Sequence, residues 1–449
     1  MGSARVVQIL VLALLCGGLV TARAQDWPNW RGPHSNGATE VGPLPEKFSK
    51  TENVRWSVGL PGPAASTPIV FGDAVFLTSV DKANDRLLVL RIDRKRGKIV
   101  WRRRAGSGYG AGRTRTARGR RSNYASPSPV TDGERIIAFF GNGDLVAFDF
   151  DGKELWRRNV QQELGDFAFQ WTFSASPTLS GGRLFLPILQ RDRAVQRSRR
   201  EKVAQETRSF ESFFLAMDPA SGVTLYKHVR ASPARLESLE SYTTMIPHVG
   251  KGGRNELLLA GGDVLTAHDP ASGKELWRWG TWNPGHRQRS WRLVPSPVVG
   301  AGIVLVCAPK RQPVFAVRLD DHTLAWQSTG RPNPVSSDVP TPAFYEDHFY
   351  VLSDVRSALS KVRAKDGEVV WSTPLTRDYR WRSSPTVADK RIWCMNHAGE
   401  VSTVDVNTGE VLHTAALGAE DDDQTRSSIV IAHGAVFVRT NRRLWCIGE

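Results

Sequence analysis

Short hydrophobic runs separated by polar turns recur along the chain and predict its secondary structure. A typical unit opens on Ser-Pro or Thr-Pro, enters aliphatic and β-branched residues, turns, and closes on a second hydrophobic run, as in "LVAFDFDGKELWRR" at 145–158. Runs this short, flanked by Gly, Pro, Asp and Asn, predict β-strands rather than helices. A unit of roughly 45 residues has room for about four strands, which is the size of a propeller blade.

The end of each unit carries an acidic residue, a glycine and an aromatic residue at a nearly constant spacing. Asp suits a turn because its side chain accepts backbone hydrogen bonds, and Gly allows a positive φ where the strand resumes. Trp buries a large flat surface, which we expect to lie against the neighbouring blade. Because Arg318 and Arg363 occupy the position of Asp149, we interpret Asp149 as a turn residue and not as a catalytic acid.

The number of units predicts the number of blades. Strand openings begin at 66, 126, 176, 243, 296, 341, 384 and 427. The closing positions are Trp56, Trp101, Trp156, Tyr226, Trp277, Trp326, Trp371 and His413. The two series are out of phase, since the first closing strand has no opening before it and the last opening has no closing strand after it. We therefore predict an all-β, eight-bladed propeller of four-stranded antiparallel blades, in which the N-terminal strand completes the last blade and leaves no open edge.

The repeats "LVAFDFDGKELWRR", "LTAHDPASGKELW" and "FLAMDPASGVTLY" resemble the pyrroloquinoline-quinone (PQQ) repeat over roughly 53–449. The resemblance implies eight blades joined by a Trp docking motif. It also implies one of two functional classes: dehydrogenases that hold PQQ with a divalent cation, or non-catalytic scaffolds such as the BamB-type component of outer-membrane-protein assembly. The stretch "DWPNWRGPHSNG" at 26–37 resembles a lead-in of secreted bacterial members.

The sequence favours the scaffold class. The resemblance to the dehydrogenases implies an adjacent cysteine pair beside PQQ, a carboxylate and an amide for the cation, and an Asp base, and the chain has no Cys-Cys. Carboxylates before the inner strands are few: Glu240, Asp338, which we interpret as a turn cap, and the run 420–423. No G-x-S-x-G, H-E-x-x-H or P-loop motif occurs. We expect a non-catalytic binding scaffold without a cofactor; a dehydrogenase using PQQ with calcium, or a module that binds polyanions or acidic glycans, is the alternative.

The N-terminal residues have the form of a secretory leader, with a basic start, an apolar run and a small-x-small site at 22–24. We predict a signal peptide at 1–24, an extension at 25–52 and the propeller at 53–449, with export across the inner membrane to the periplasm or cell envelope. The net charge of +15 favours anionic partners. Export argues against nucleic acid, so we expect envelope proteins or anionic envelope polymers as partners and a monomeric chain, with peripheral membrane association as an alternative.

Four Arg-rich segments, 102–125, 190–210, 279–295 and 372–383, are predicted to share one face of the propeller. Arg pairs with carboxylates or phosphates and stacks on aromatic rings. The ordinary alternative is that long surface loops are charged and that their Trp residues pack the rim. The predicted ligand- or partner-binding residues are Arg118, Arg120, Arg121, Tyr124, Trp171, Arg287, Arg289, Trp291, Arg380, Trp381 and Arg382.

Overall fold

Eight four-stranded antiparallel sheets make up the fold, which confirms the predicted eight-bladed propeller. The computed structural model describes residues 26–108, 123–193, 195, 210–329, 335–420, 422 and 424–449. In seven blades the strands follow one another in chain order from the central axis outward, so each of these is a simple meander, whereas the eighth takes its outermost strand from the N-terminal part of the chain.

The strands are grouped here by blade, from the inner to the outer strand. Blade 1 is β2 (Ile69–Phe71), β3 (Ala74–Asp81), β4 (Arg86–Asp93) and β5 (Ile99–Ser107), and blade 2 is β6 (Val130–Thr131), β7 (Arg135–Phe139), β8 (Asp144–Asp149) and β9 (Glu154–Asn159). Blade 3 is β10 (Thr178–Ser180), β11 (Arg183–Ile188), β12 (Phe213–Met217) and β13 (Thr224–Val229), and blade 4 is β14 (Ile246–Val249), β15 (Asn255–Gly261), β16 (Val264–His268) and β17 (Glu275–Trp279). Blade 5 is β18 (Val298–Gly300), β19 (Ile303–Cys307), β20 (Val314–Arg318) and β21 (Leu324–Gln327), and blade 6 is β22 (Ala343–Tyr345), β23 (His348–Ser353), β24 (Ala358–Arg363) and β25 (Val369–Pro374). Blade 7 is β26 (Thr386–Ala388), β27 (Arg391–Met395), β28 (Glu400–Asp405) and β29 (Val411–Ala416), and blade 8 is β30 (Val430–Ala432), β31 (Ala435–Arg439), β32 (Arg443–Ile447) and β1 (Val54–Gly59).

The N-terminal strand closes the ring, as predicted. β1 pairs antiparallel with β32, with Trp56 opposite Cys446 and Gly59 opposite Arg443. The inner strand β30 lies beside β2, so the last blade also meets the first at the axis. Closure by a strand from the other end of the chain leaves no unpaired edge inside blade 8.

Helical structure in the described residues is limited to short pieces. One α-helix, α1 (Val160–Leu164), is capped at Asn159, whose side chain accepts a hydrogen bond from the Gln162 N–H. Three 3₁₀ turns span Leu236–Leu239, Lys251–Gly253 and Pro284–His286. Among the described residues, no helix has the length and apolar character that crossing a membrane requires.

The closing aromatic residue, Trp in six blades and Tyr226 in blade 3, docks on the next blade, as the repeat predicted; His413 of blade 7 is the exception. Trp101 Nε1 donates to the Phe150 carbonyl at 2.9 Å, and Trp156 Nε1 donates to Pro219 at 2.9 Å. The indole ring lies directly against the glycine of the neighbouring turn. A Cβ added at Gly222 would lie only 2.6 Å from the Trp156 ring, so this position has no room for a side chain. Blade 5 has His322 at the glycine position, and there the imidazole stacks on Trp277 with 4.3 Å between the ring centroids.

The Asp residues of the repeat accept backbone hydrogen bonds within their turns, as predicted. Asp93, for example, accepts from the N–H groups of residues 95 and 96.

The Ser-Pro and Thr-Pro openings lie just before the inner strands and not inside them. At seven of the openings a hydroxyl, which precedes a proline everywhere except at Thr244, accepts a hydrogen bond from the backbone N–H of the equivalent residue one blade earlier. The donor and acceptor pairs, at 2.9–3.1 Å, are Thr67 to Ser128, Ser128 to Ser176, Ser176 to Thr244, Thr244 to Ser296, Ser296 to Thr341, Thr341 to Ser384 and Ser428 to Thr67. This hydroxyl ring satisfies buried backbone donors around the central channel.

Residues 26–48, here called the strap, cross the base of the propeller. Trp27 pairs with Val70 of blade 1, and Ala38 pairs with Val387 of blade 7. Arg31 is 1% exposed and donates to the carbonyls of Pro342 and Pro385. At the end of the strap Phe48 packs on Trp393 and on His413, the closing residue of blade 7, since the two outer strands of the next blade, β32 and β1, are not joined by a turn on which His413 could dock. The strap therefore links blades that are distant along the chain.

One detail of the sequence prediction changes. Residues 102–107 belong to β5 and 372–374 to β25, so the Arg-rich loops of blades 1 and 6 begin later than predicted.

The three cysteines of the described chain, Cys307, Cys394 and Cys446, are free and buried. Burial raises the pKa of Cys394 to about 12, as expected for a small core residue rather than a reactive thiol.

Candidate functional site

A cavity opens at the propeller axis above the hydroxyl ring. It encloses about 150 Å³ and continues into a second space of about 160 Å³ bounded at its base by Trp30 of the strap. The residues that line the upper part are Trp171, Thr172, Ser174, Tyr242, Arg292, Val294, Val339, Arg382 and Arg426. The lining is aromatic and cationic, and within the described residues it includes neither Asp nor Glu.

Two of the lining arginines are held by buried carboxylates behind the cavity wall. Arg292 Nη2 lies 3.2 Å from Asp338 Oδ2, and Arg382 Nε lies 3.1 Å from Asp354 Oδ2. The two acids are themselves connected, because the Asp338 N–H donates to Asp354 Oδ1 at 3.0 Å. Arg pairs of this kind fix the direction of the guanidinium and leave its other N–H groups free to donate.

A second carboxylate centre lies behind Tyr242. The Tyr242 hydroxyl donates to Glu240 Oε2 at 2.7 Å and accepts from the Trp171 N–H at 3.1 Å. Glu240 is fully buried and forms an ion pair with Arg191. Burial raises the pKa of the Glu240 carboxyl to about 7, although Arg191 and the Tyr242 hydroxyl act in the opposite direction. Tyr242 thus connects the cavity to a buried group that exchanges a proton near neutral pH.

The charged side chains in the described lining of the cavity are all cationic. His397 is 5% exposed, and its pKa is lowered to about 3 by burial and by the neighbouring Arg426, Arg382 and Arg380. Burial is the larger cause, and the contribution of the three guanidinium groups shows that positive charge is concentrated on this side of the cavity, which favours an anion.

The structure places the sequence-predicted residues in several different environments. Trp171 and Arg382 line the cavity. Tyr124 packs at the base of its loop against Gly141, and Trp291 packs partly buried over the core of blades 4 and 5. Arg287, Arg289 and Arg380 are exposed. Trp381 is completely buried and donates to the Thr376 carbonyl, so its ring is part of the core. Arg118, Arg120 and Arg121 lie outside the described residues.

Sequence reasoning missed three lining residues: Tyr242, Arg292 and Arg426. Tyr242 and Arg426 each stand two residues before a hydroxyl of the ring, as Arg382 does. Alternate residues of an extended segment point the same way, so this position faces the axis in every blade. Reading position −2 from each ring hydroxyl would have found Tyr242 and Arg426, but not Arg292, which stands four residues before Ser296.

The residues fit the organic part of a PQQ-type cofactor. PQQ is a flat tricarboxylate, for which Arg292, Arg382 and Arg426 supply positive charge and Trp171 supplies an aromatic face. The residues do not fit its usual divalent cation. Among the described residues no group of three or more His, Cys, Asp or Glu side chains is arranged to hold a metal ion. Glu240, Asp338 and Asp354 already pair with arginines.

The fold and repeat define a PQQ-like eight-bladed β-propeller. The chain belongs to the family described as outer membrane protein assembly factor BamB, whose model matches residues 47–213 and 212–449. BamB from Moraxella catarrhalis shares the fold at a TM-score of 0.59 and 13% identity, covering 88% of this chain and 96% of that one.

Other similar proteins are enzymes. A polyvinylalcohol dehydrogenase from Pseudomonas sp is 24% identical over 411 residues, which are 80% of this chain; the chain spans 61% of that relative's length. The quinohemoprotein alcohol dehydrogenase of Comamonas testosteroni has the same fold at a TM-score of 0.68 and 12% identity, over 95% of this chain and 81% of the other. A europium-containing methanol dehydrogenase matches at a TM-score of 0.65 and 12% identity, over 95% and 98%.

These similarities correct two predictions. The interpretation as a non-catalytic scaffold is wrong, because the curated relative is a dehydrogenase and the structural neighbours include alcohol and methanol dehydrogenases. The expectation of no cofactor is contradicted by the same proteins. The physical reason for the error is that the sequence argument required adjacent cysteines and axial carboxylates, whereas the cavity is built from arginines and aromatic residues.

Proposed function

We propose that this protein is a PQQ-dependent oxidoreductase that oxidises an alcohol in the axial cavity. The observation that carries the proposal is the convergence of Arg292, Arg382 and Arg426 with Trp171 and Tyr242 on one cavity at the propeller axis. The curated relative is named for polyvinyl alcohol, which makes polymeric and secondary alcohols the first substrates to test.

The arginines would hold the cofactor carboxylates, and the indole of Trp171 would lie against its ring system. When bound, PQQ supplies a quinone that accepts a hydride from the alcohol carbon. The hydroxyl ring and Trp30 close the cavity from below, so substrate enters from the opposite end. Enclosure strengthens the charge interactions because fewer water molecules compete for the guanidinium groups.

Tyr242 and Glu240 are the proton acceptors in this proposal. As the alcohol loses a hydride, its hydroxyl must lose a proton. Tyr242 Oη lines the cavity, takes that proton, and passes its own to Glu240 Oε2 at 2.7 Å. A carboxylate with a pKa of about 7 suits general-base work at neutral pH, and Arg191 balances its charge when it is ionised.

The test is alcohol-dependent reduction of an artificial electron acceptor by the purified chain after incubation with PQQ. Tyr242→Phe is expected to lower the rate by about 100-fold or more while PQQ still binds. Tyr379→Phe, an exposed tyrosine on the loop after β25, is the matched control and should retain full activity. Absence of PQQ binding in a spectroscopic titration would overturn the proposal.

We also propose export to the periplasm or cell envelope. The support is the sequence of residues 1–24, which has the form of a secretory leader and lies outside the residues that the structure describes. The monomeric state, the envelope partners or anionic polymers, and the exclusion of nucleic acid stay predictions.

A further inference from the structure

We infer that the axial cavity binds its flat, polyanionic quinone without a divalent cation, with guanidinium groups in the place that a metal ion would occupy. The inference rests on the proposed function. It concerns the mode of binding, so it can fail while the proposed function stands.

The first observation is that, among the described residues, every carboxylate oxygen of the acids behind the cavity wall already accepts a hydrogen bond. Asp354 Oδ2 accepts from Arg382 and Oδ1 accepts from the Asp338 N–H. Asp338 Oδ2 accepts from Arg292, and Oδ1 accepts from the Lys310 N–H at 2.7 Å. A Ca²⁺ ion needs six to eight oxygen ligands, so it would compete with these hydrogen bonds and with the paired guanidinium groups at each of the two acids.

The third acid is engaged in the same way. Glu240 Oε1 pairs with Arg191, and Oε2 accepts from Tyr242 and from the Gln170 N–H at 3.0 Å. Glu240 also lies behind Tyr242 rather than in the lining, since the described lining includes no acidic side chain. A cation in the cavity would therefore meet a tyrosine hydroxyl and arginines instead of carboxylates.

The second observation is the sign of the charges at the cavity, since the charged side chains of its described lining are all arginines. Burial lowers the pKa of His397, and the nearby Arg426, Arg382 and Arg380 lower it further. A divalent cation brought to the same place would be repelled, whereas a tricarboxylate would be attracted. Guanidinium groups also donate to carboxylate and quinone oxygens in a fixed plane, which supplies both charge and orientation.

The experiment is a titration of PQQ into the purified chain, followed by calorimetry and by quenching of tryptophan fluorescence, in EDTA and in millimolar calcium. We expect dissociation constants that agree within about twofold, because no carboxylate oxygen is released for calcium. Binding only in calcium would overturn the inference and leave the proposed function intact. Binding in neither condition would overturn both.

Variants locate the site independently of the cation. Arg382→Gln and Arg426→Gln are each expected to weaken binding in EDTA by about tenfold or more, the usual size of a lost charge-assisted hydrogen bond. Arg289→Gln makes the same charge change at an exposed loop position and should bind as the parent chain does. Melting temperatures identify any variant that fails to fold, and the comparison of EDTA with calcium on the parent chain needs no variant at all. Equal binding by all three variants would overturn the assignment to these arginines.

Discussion

At the scale of single residues, the Asp–Gly–Trp set connects adjacent blades and has no part in the chemistry. The glycine serves two purposes, since it adopts a positive φ and provides a surface without a side chain for the indole of the preceding blade. Gly222 has φ +75°, and a Cβ there would lie 2.6 Å from Trp156. The constant spacing in the sequence is the spacing that this contact requires.

A pair of variants separates two contributions of the glycine to the free energy of unfolding: its contact with the indole and its positive φ. Gly302 has φ +73° and no atom within 4 Å of an added Cβ. Gly302→Ala should therefore cost about 1–2 kcal/mol, the cost of the left-handed region alone. Gly222→Ala should cost about 1–3 kcal/mol more, because the Trp156 ring must move. Urea denaturation followed by circular dichroism measures both, and equal losses would refute the docking role.

Glu240 predicts how stability depends on pH. Its pKa in the folded state, about 7, lies above the ordinary 4.5, so the folded state binds the proton more tightly than the unfolded state does. The stabilisation is complete below about pH 4.5 and is lost as the pH rises through about 7, by roughly 2–3 kcal/mol.

Denaturation of the parent chain and of Glu240→Gln from pH 4.5 to 8 tests this expectation. Glu240→Gln should lack this loss of stability with rising pH. It also removes the carboxylate that pairs with Arg191, which lowers stability at every pH but does not produce a slope. Glu46→Gln, at an exposed position of the strap, is the control and should keep the slope of the parent. A slope that survives in Glu240→Gln would assign the titration to another group.

The site could be predicted from the sequence only in part, and residue type explains which part. Arg and Trp in loops suggested binding, which led to Trp171 and Arg382, yet Trp381 has the same appearance in sequence and is core. Tyr242 was missed because a tyrosine beside a strand opening is unremarkable until the inner segments converge on the axis. Convergence of eight segments is a tertiary property that local spacing does not encode.

At the scale of elements, the strand openings explain how the blades are joined at the axis. Pro is well placed just before an inner strand, where its missing N–H costs nothing to the ladder. The preceding hydroxyl bonds to the neighbouring blade, which makes the motif an inter-blade contact rather than a strand signal. The sequence pattern located these segments correctly, and the structure supplies the reason for their composition.

Ser176→Ala tests the hydroxyl ring. The variant leaves the Ser128 N–H without its acceptor in a buried position, so we expect a loss of about 1–3 kcal/mol. Ser174→Ala, two residues earlier on the same segment, removes a hydroxyl that faces the cavity and should cost less than half as much. Thermal and urea denaturation give the comparison, and a larger loss in Ser174→Ala would show that the ring contributes little.

At the scale of the whole molecule, two N-terminal pieces close the propeller in different ways. β1 supplies the outer strand of blade 8, and its pairing with β32 was predictable because the openings and closings are out of phase by one. The strap was not predictable in this role. Its contacts with blades 1, 6 and 7 depend on where the axis lies, and its sequence has neither the period of a strand nor that of a helix.

A pair of truncations separates the two pieces. A chain that begins at Thr51 lacks the strap but keeps β1, so it should unfold in one cooperative transition at a lower temperature, because Trp393 and His413 lose their contact with Phe48. A chain that begins at Leu60 also lacks β1. Loss of β1 leaves the outer edge of β32 without the strand that pairs with it, Val54–Gly59. Exposed strand edges tend to pair with other chains. We therefore expect size-exclusion chromatography to show a monomer for the first and oligomers or aggregate for the second. If the shorter chain were an equally stable monomer, closure by β1 would not be what holds the ring together, and the hydroxyl ring and the Trp contacts between blades would have to provide that stability.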